Sequence, residues 1–327
     1  MTDQPYHIPA LLRQSIEALD IKSSGIYVDC TLGGGGHTRA ILQSLAKADA
    51  EAGCDAGKAT GRLLSFDQDM DAINRTLTDP ELAGDPHFTV VHGNFRYLSN
   101  FLRFYGADKA DGILADLGVS FHHFDDPERG FSFRFEEGAL DMRMNRDSKL
   151  TAASLLAEAP AERLADIFYL YGELRQARRM ADAIASARQQ APVDTVSRLL
   201  EVVKPFINPR QEKKELAQLF QALRIEVNGE LDALKALLAQ SLQTLKPGGR
   251  LAIITYHSLE DRLVKNFMRT GNTEGHEQKD FYGRNLSPLK ILTPRPIVPD
   301  DEEVERNPRS RSAKLRVAVR LNPETQS

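Results

Sequence analysis

Several features that define other classes of protein are scarce or absent in this sequence. Cysteine occurs only twice, at Cys30 and Cys54, which provides neither a disulfide framework nor a zinc-binding spacing. No apolar run approaches the ~20 residues that cross a membrane. The chain also does not begin with a basic stretch followed by an apolar one, as a signal peptide would. We therefore expect a cytoplasmic enzyme in a reducing compartment, with no membrane partner.

Excess positive charge is also missing. With 42 Lys and Arg against 46 Asp and Glu, the formal net charge is −4, so contact with nucleic acid must come from local patches. One patch lies near the end of the chain and comprises Arg306, Arg309, Arg311, Lys314, Arg316 and Arg320. The same charges would also suit an edge strand that turns them to solvent, where they prevent aggregation.

A glycine-rich segment is present, but it lacks the signatures of phosphate binding. Gly33–Gly36 follow a buried-strand pattern and precede an amphipathic helix pattern, which predicts a strand, a cofactor loop and a helix of an α/β fold. A dinucleotide fingerprint would need a small residue where Thr38 stands, and a P-loop would end in Lys-Ser or Lys-Thr. A nucleoside cofactor without phosphates, such as S-adenosylmethionine, fits these residues. The alternative is a plain turn.

Three further strand patterns end in polar or glycine-rich loops, where open α/β sheets bind ligands. The patterns cover residues 62–67, 88–92 and 110–116. Asp67 is predicted to accept hydrogen bonds from ribose hydroxyls, or alternatively to cap the helix that starts near Asp69. Phe95 could lie against an adenine face or pack into the core. Residues 46–61 are predicted to form a surface insertion.

Strand patterns disappear in the middle of the chain, where helical periodicity dominates over 153–157, 161–187, 193–203, 211–227 and 231–245. They resume over 250–256, after the turn predicted at 246–249. We predict a sheet domain in two parts, 1–138 and 216–327, interrupted by a helical insertion over 139–215. Arg175, Arg178 and Arg179 in this block could hold phosphates or form a solvated helix face.

Five phenylalanines occur within residues 121–135, between the fourth strand pattern and the helical block. Part of this segment must be buried. It could form a lid whose rings stack on a planar substrate, as proteins do with splayed-out RNA bases. The alternative is a hydrophobic plug that joins the insertion to the sheet.

The motifs resemble those of the bacterial RsmH (MraW) family, in the order in which that family carries them. They are the glycine run with His37-Thr38, residues 116–120, 125–133, 140–144, 220–228, 257–262 and 307–312. The resemblance implies a Rossmann-like class I S-adenosylmethionine-dependent methyltransferase with an inserted all-helical domain that helps to recognise the substrate. It implies cofactor contacts from Gly35, Gly36, His37, Asp67, Phe95, Asp116 and His123. Relatives carry glutamine where this chain has His123.

The same resemblance implies methylation of the 4-amino group of a specific cytidine in 16S ribosomal RNA, near the decoding site of the small subunit. Because the chain is acidic and the target base must leave its stack, we expect it to act on a partly assembled subunit rather than on naked RNA. The sequence leaves open whether the chain works as a monomer or as a homodimer.

Methyl transfer from a sulfonium to an amine needs in-line orientation and an acceptor for the amine proton, but no metal. The acceptor is not identified by the sequence: Asp116, His257, Glu260 and Asp261 are candidates. For the last three, capping of the helix from Ser258 onward is the alternative. Other functions compatible with parts of the sequence are a small-molecule methyltransferase, a nicotinamide oxidoreductase, and a non-catalytic RNA-binding assembly factor.

Overall fold

The computed structural model of the chain describes residues 9–54, 60–119, 121–283 and 286–322. The chain divides into two compact units, one formed by 1–118 with 232–327 and the other by 119–231. We call them the sheet unit and the helical unit. The helical unit is wider than the predicted insertion over 139–215. The difference arises because buried residues such as Phe131 and Phe220 belong to its hydrophobic core.

The described residues of the sheet unit form one sheet of seven strands. They are β1 (Ile26–Asp29), β2 (Arg62–Asp67), β3 (Phe88–His92), β4 (Ala110–Asp116), β5 (Leu245–Thr255), β6 (Leu289–Ile291) and β7 (Lys314–Arg320). Their order in the sheet is β3-β2-β1-β4-β5-β7-β6. The first five strands in this order pair in parallel, whereas β7 is antiparallel to both β5 and β6. The predicted spans of β2, β3 and β4 are confirmed.

Strand β5 begins earlier than predicted. Ala110 pairs with Leu245, but Gly112 pairs with Arg250, so the predicted turn over 246–249 forms a bulge within the strand. Gly248 at the tip has a φ of +82°, a conformation that glycine adopts without steric cost. The bulge interrupts the pairing with β4 locally, and the regular ladder continues from Gly112 and Arg250 onward.

The described residues form thirteen helices. In chain order they are α1 (Leu12–Leu19), α2 (Gly36–Glu51), α3 (Met70–Thr78), α4 (Leu98–Phe104), α5 (Phe121–Asp125), α6 (Ala152–Glu158), α7 (Ala161–Leu170), α8 (Ala177–Ala187), α9 (Val196–Val203), α10 (Glu212–Asn228), α11 (Glu230–Thr244), α12 (Ser258–Thr270) and α13 (Asp301–Arg306). No helix in the described part of the chain has the length and apolar character needed to cross a membrane.

The sheet has an apolar core on each face, because successive residues of a strand point to opposite sides. Val28, for example, packs with α4, α11 and α12, whereas its neighbour Tyr27 packs with α1 and α2. Both faces are therefore covered by helices, as expected for a largely parallel sheet. The strands must then present ligand-binding groups at their ends rather than on their faces.

The helical unit has a separate core, to which α6, α7, α8, α9 and α10 contribute. The helical pattern over 161–187 is present as two helices, α7 and α8, rather than as one continuous helix. A side chain at Gly172 would place its Cβ 2.7 Å from the carbonyl oxygen of Phe168 and 3.0 Å from that of Gln218. Glu173 then adopts a φ of +53°. Tertiary contacts at this turn override the helical periodicity.

The first residues of the surface insertion predicted over 46–61 are mostly exposed, but they form regular helix. These residues continue α2 as far as Glu51, and Asp49 is buried. Its carboxylate accepts a hydrogen bond from the hydroxyl of Thr60 at 2.7 Å and lies 3.0 Å from Nε2 of His87. The end of α2 is thus tied to the start of β2. Residues 55–59 lie outside the described residues.

Candidate active site

The glycine loop connects β1 to α2 at the carboxyl edge of the sheet. The backbone N–H of Leu32 donates to the carbonyl of Phe66 in β2 at 2.8 Å, which fixes the start of the loop. Gly35 is the N-cap of α2 and has a φ of +76°, which an L side chain rarely tolerates. At Gly36 a Cβ would lie 2.7 Å from the ring of Pro9. Both glycines are therefore required by the local backbone.

Asp67 at the end of β2 is bound to this loop. Its Oδ2 accepts the backbone N–H of Gly33 at 2.9 Å, and its Oδ1 accepts that of Asp69 at 2.9 Å. Desolvation of the carboxyl raises the pKa of Asp67 to about 6, although these hydrogen bonds oppose the shift. Each carboxylate oxygen has a second lone pair. The group is therefore held in a fixed orientation with acceptor capacity that can serve ribose hydroxyls.

The helix after β2 is capped by a different residue. Asp69 is the N-cap of α3, and its side chain accepts the backbone N–H of Asp71 at 3.0 Å. Asp67 supports the cap indirectly, by accepting the N–H of Asp69. The ribose role predicted for Asp67 does not compete with capping, because Asp69 performs that task. Cofactor binding by Asp67 stays a prediction.

Asp116 at the end of β4 forms the second carboxylate of the site. The hydroxyl of Tyr256, which follows β5, donates to Asp116 Oδ1 at 2.8 Å. On the other side, Nδ1 of buried His37 in the first turn of α2 lies 3.7 Å from Asp116 Oδ2. The structure thus brings His37 and Asp116 together, as two of the predicted cofactor residues. Sequence reasoning missed Tyr256, although its position directly after a strand was a usable signal.

The charge state of Asp116 is governed by burial. Desolvation raises the pKa of Asp116 to about 7, and the negative charges of Asp29 and Glu260 add to the shift, while the Tyr256 hydrogen bond opposes it. The pKa of buried Asp29 is also raised by desolvation. Thr31 links the Asp29 carboxylate to the backbone of Asp116, since its N–H donates to Asp29 Oδ1 and its hydroxyl accepts the backbone N–H of Asp116 at 2.7 Å. Asp116 is therefore poised to exchange a proton near neutral pH.

Two of the other proton-acceptor candidates are committed to structural contacts. Asp261 binds Arg316 of β7 through two hydrogen bonds of 2.7 and 3.1 Å, which hold the pKa of its carboxyl below the usual range even though burial opposes this. Glu260 is buried and accepts the backbone N–H groups of Tyr256 and His257. The predicted side-chain cap at the start of α12 is therefore present. It is performed by Glu260 at an N-cap formed by His257, not by Ser258 with Asp261.

His257 is the remaining candidate, and its Nε2 lies 3.1 Å from Glu260 Oε1. Its imidazole thus lies next to a carboxylate whose other oxygen accepts backbone N–H groups at the start of α12. Asp116, by contrast, has one oxygen facing Tyr256 and the other facing His37 at the glycine loop. The geometry of the sheet unit favours Asp116 over the other three as the proton acceptor. Among the described residues, no group of three or more His, Cys, Asp or Glu is arranged to hold a metal ion.

Phe95 lies in a short 3-10 turn, Phe95–Tyr97, after β3. Its ring is half-buried against one core of the sheet. Asn94 fixes this turn, because its side chain accepts the N–H of Arg96 and donates to Gln68 Oε1 at 2.9 Å. Phe95 therefore has a packing role, and its predicted contact with the adenine ring stays a prediction.

His123 belongs to the helical unit. It is buried and stacks on Phe131, with ring centroids 4.9 Å apart. Phe131 and partly buried Phe124 and Phe133 pack into the core of that unit, and Phe133 meets Phe220 edge to face. These three rings are thus buried in the core of the helical unit, while a plug that joins the insertion to the sheet stays a prediction. Cofactor contact by His123 stays a prediction, while Ser120 and the side chains of 121 and 122 lie outside the described residues.

The basic patch near the end of the chain does not form an edge strand. Strand β7 lies between β5 and β6, and Arg316 is buried in the ion pair with Asp261. Arg320 donates to the carbonyl of Pro288. Arg309 and Arg311 are exposed in the 3-10 turn before β7. The predicted edge strand is therefore wrong, because the strand pairs on both sides.

A seven-stranded sheet with an antiparallel strand inserted next to its edge, helices on both faces and carboxylates at the ends of β2 and β4 defines a Rossmann-like class I methyltransferase fold. The predicted fold class is thus confirmed. The model of the MraW methylase family matches residues 4–321, and the chain belongs to this family.

The chain is similar over nearly its whole length to proteins named ribosomal RNA small subunit methyltransferase H. The relative from Bacteroides thetaiotaomicron is 54% identical over 313 residues, which are 96% of this chain and 97% of that protein. The relative from Parabacteroides distasonis is 54% identical over 320 residues, or 98% and 99%. A solved structure of an rRNA methylase from Streptococcus thermophilus covers 95% of this chain and 94% of its own at 13% identity, with a TM-score of 0.37.

Proposed function

We propose that this protein transfers a methyl group from S-adenosylmethionine to the 4-amino group of a specific cytidine in 16S ribosomal RNA of the small subunit. The observation that carries the proposal is the 54% identity, over almost all of both chains, to methyltransferases named for small-subunit ribosomal RNA. The proposal goes beyond the names of these relatives in two respects, the cytidine amine as target and its position near the decoding site. The enzyme works in the cytoplasm, where subunits are assembled.

The residues at the carboxyl edge of the sheet fit the methyl donor. Gly35 and Gly36 let the backbone approach a ligand closely at the start of α2. The Asp67 carboxylate is fixed by Gly33 and Asp69 and retains lone pairs for two ribose hydroxyls. Bound S-adenosylmethionine supplies an electrophilic methyl group on a positively charged sulfur, and Asp116 and His37 would face its amino-acid end.

The cytosine amine is a weak nucleophile, because its lone pair is delocalised into the ring. Orientation therefore provides much of the rate enhancement, and fixing the reacting groups in line can supply several kcal/mol. Asp116 contributes by accepting an amine hydrogen, which draws the nitrogen lone pair out of conjugation. After the methyl group has been transferred, the amine proton passes to Asp116 Oδ2. Tyr256 keeps Oδ1 engaged and so fixes the plane of the carboxylate.

Two measurements test the reaction. Mass spectrometry of 16S ribosomal RNA from cells that lack the protein should show one cytidine without its N4-methyl group, and the purified protein should restore it with S-adenosylmethionine. Retention of the modification in those cells would refute the proposal. Transfer to small molecules but not to RNA would favour a small-molecule methyltransferase, and RNA binding without transfer would favour an assembly factor.

The cofactor site has its own test. Hydrogen bonds to charged groups contribute about 1.5–3 kcal/mol, so Asp67→Ala should weaken S-adenosylmethionine binding by about tenfold or more in calorimetry. Asp71→Ala, in the same segment but directed to the first turn of α3, serves as the control and should bind normally. Unchanged affinity in Asp67→Ala would remove Asp67 from the cofactor site.

A further inference from the structure

The helical unit contains a concentration of positive charge that the proposed reaction does not require. From Arg175 to Lys214 there are nine Lys and Arg residues and only four Asp and Glu residues, a net charge of +5. The whole chain carries −4, so the remainder carries −9. This segment is therefore a local excess of positive charge in an acidic protein, in addition to the basic patch near the end of the chain, and such an excess is a localised site for an anionic partner.

Three of the nine basic residues have internal partners. Arg178 pairs with Asp182 at 3.6 Å, and Arg198 pairs with Glu201 at 2.6 Å. Arg188 donates two hydrogen bonds to backbone carbonyls between α6 and α7. These three side chains therefore stabilise the unit itself.

The other six basic side chains are exposed, and none forms an ion pair with a residue that the structure describes. We call them the basic ridge: Arg175, Arg179, Lys204, Arg210, Lys213 and Lys214. Two of the four acidic residues in the segment are already neutralised by Arg178 and Arg198. The excess charge is thus concentrated in side chains that are available to a ligand.

The basic ridge is continuous in space within the helical unit. The guanidinium of Arg179 lies 5.2 Å from the ring centroid of Phe206, which brings the start of α8 beside the 3-10 turn Lys204–Phe206. The next residues are tied to the start of α10, because Glu215 accepts the backbone N–H of Asn208 at 2.9 Å. The charges therefore follow one path from α8 through the turn to α10.

We infer that the basic ridge binds the phosphate backbone of the RNA substrate. The inference rests on the proposed function. Arginine guanidinium groups bind phosphate oxygens through paired hydrogen bonds, whereas lysine ammonium groups act as point charges. Contacts of this kind position a nucleic acid without reading its sequence. The ridge would hold the RNA on the helical unit while the sheet unit performs the transfer.

The test compares two variants that remove the same charge. The ridge variant carries Arg175→Gln, Arg179→Gln and Lys204→Gln. The control variant carries Arg163→Gln, Arg178→Gln and Arg198→Gln, whose arginines are paired with Glu226, Glu162 and Glu201. Binding of a fluorescent single-stranded RNA oligonucleotide is measured over a series of KCl concentrations. Arg198 is partly buried and the other five replaced side chains are exposed, so circular dichroism and S-adenosylmethionine calorimetry verify folding of both variants.

Each phosphate contact contributes about 0.7 to the slope of log affinity against log salt for single strands. The ridge variant should therefore lose about 2 from the slope and bind roughly 100-fold more weakly at moderate salt. It should also show a raised KM for small ribosomal subunits. The control variant should change little in either measurement.

The remaining outcomes are decisive. Equal slopes for the ridge and control variants overturn the inference. A raised KM for subunits without weaker oligonucleotide binding also overturns it, because the ridge would then contact a ribosomal protein. If the wild type transfers no methyl group to RNA although the ridge variant still loses oligonucleotide affinity, the ridge is supported as an RNA site and only the proposed reaction fails.

Discussion

At the scale of single residues, the contact between Tyr256 and Asp116 is the most informative feature of the candidate site. The tyrosine hydroxyl donates to the carboxylate and lowers its pKa, against a larger upward shift from burial. Tyr256→Phe removes this donor, so the pKa of Asp116 should rise above about 7. If the carboxylate accepts the amine proton, the alkaline-rising limb of kcat must move to higher pH. At neutral pH, kcat should fall by about tenfold or more.

The measurement is methyl transfer at saturating substrates over a pH series. Tyr97→Phe is a suitable control, because that ring is 52% exposed and lies next to the same sheet edge. A purely structural role for Tyr256 would lower stability without moving the pH limb, whereas an unshifted limb in a stable variant would exclude Asp116 as the acceptor.

Burial of Asp116 also makes a prediction about stability. Its pKa is raised from 3.8 to about 7 in the folded protein. Between about pH 4 and pH 7 the folded state therefore holds a proton that the unfolded state has released. The free energy of unfolding must then fall as the pH rises through this window, and the contribution levels off above it.

Asp116→Asn cannot ionise, so it should gain stability relative to the wild type as the pH rises from 5 to about 8. Chemical denaturation at both pH values measures this, and the difference between variant and wild type isolates the contribution of one carboxyl. Asp108→Asn, at an exposed position, should show no such gain. A constant difference across the pH range would contradict the raised pKa.

Residue-level roles were predictable only where a motif or a strand end marked them. Asp67 and Asp116 follow buried strand patterns, and the structure places both at the carboxyl edge. The position of Tyr256 after a strand was such a mark, but its partner could not be predicted, because the contact joins residues that are 140 positions apart. The capping box of α12 was assigned to Ser258 and Asp261, because these residues have the same spacing as His257 and Glu260, which form it.

At the scale of secondary-structure elements, helix α2 has a glycine with a left-handed backbone beyond each of its ends. Gly35 needs a left-handed backbone, and Gly53 after α2 needs nearly the same one, with φ values of +76° and +73°. Alanine at either position should cost about 1–2 kcal/mol of stability from backbone strain. Gly35→Ala should also weaken S-adenosylmethionine binding, because Gly35 lies in the proposed cofactor loop. Gly53→Ala should not, because Gly53 lies beyond the other end of α2 and its Cβ would meet nothing within 4 Å.

Thermal unfolding and calorimetry of the two variants separate these effects. Both variants should lose stability, Gly35→Ala somewhat more because its Cβ would lie 3.1 Å from Leu82 Cδ1, and only Gly35→Ala should lose cofactor affinity. If both variants bind the cofactor normally, the glycine loop is a structural turn and not a cofactor loop.

The elements themselves differ in how well the sequence predicts them. Strands β2, β3 and β4 were predicted with their ends, because each is a short buried run between polar residues. The break between α7 and α8 was missed, since it depends on carbonyl groups that approach Gly172 from α7 and α10. Similarly, charge alone suggested an edge position for β7, but pairing on both sides depends on β6, a three-residue strand without a clear pattern.

At the scale of the whole molecule, the charge distribution bears on the form of the substrate. The chain is acidic overall, and its positive charge is concentrated in a segment of the helical unit and in the patch near the end of the chain. Such a protein lacks the general attraction to RNA that would offset the cost of unstacking a base, which is a few kcal/mol. Since each 1.4 kcal/mol is a factor of ten, a target that is already held out of a helix should react at least tenfold faster.

We therefore expect methyl transfer to partly assembled small subunits to exceed transfer to protein-free 16S ribosomal RNA. Proteins that bind during assembly fix the local RNA fold and can present the target cytidine in a loop, whereas free RNA samples stacked conformations. The measurement is the initial rate of incorporation from labelled S-adenosylmethionine, with both substrates lacking the modification. A short single-stranded oligonucleotide that contains the target sequence is the control for accessibility. Equal rates on subunits and on protein-free RNA would show that the protein recognises the RNA without help from the assembled particle.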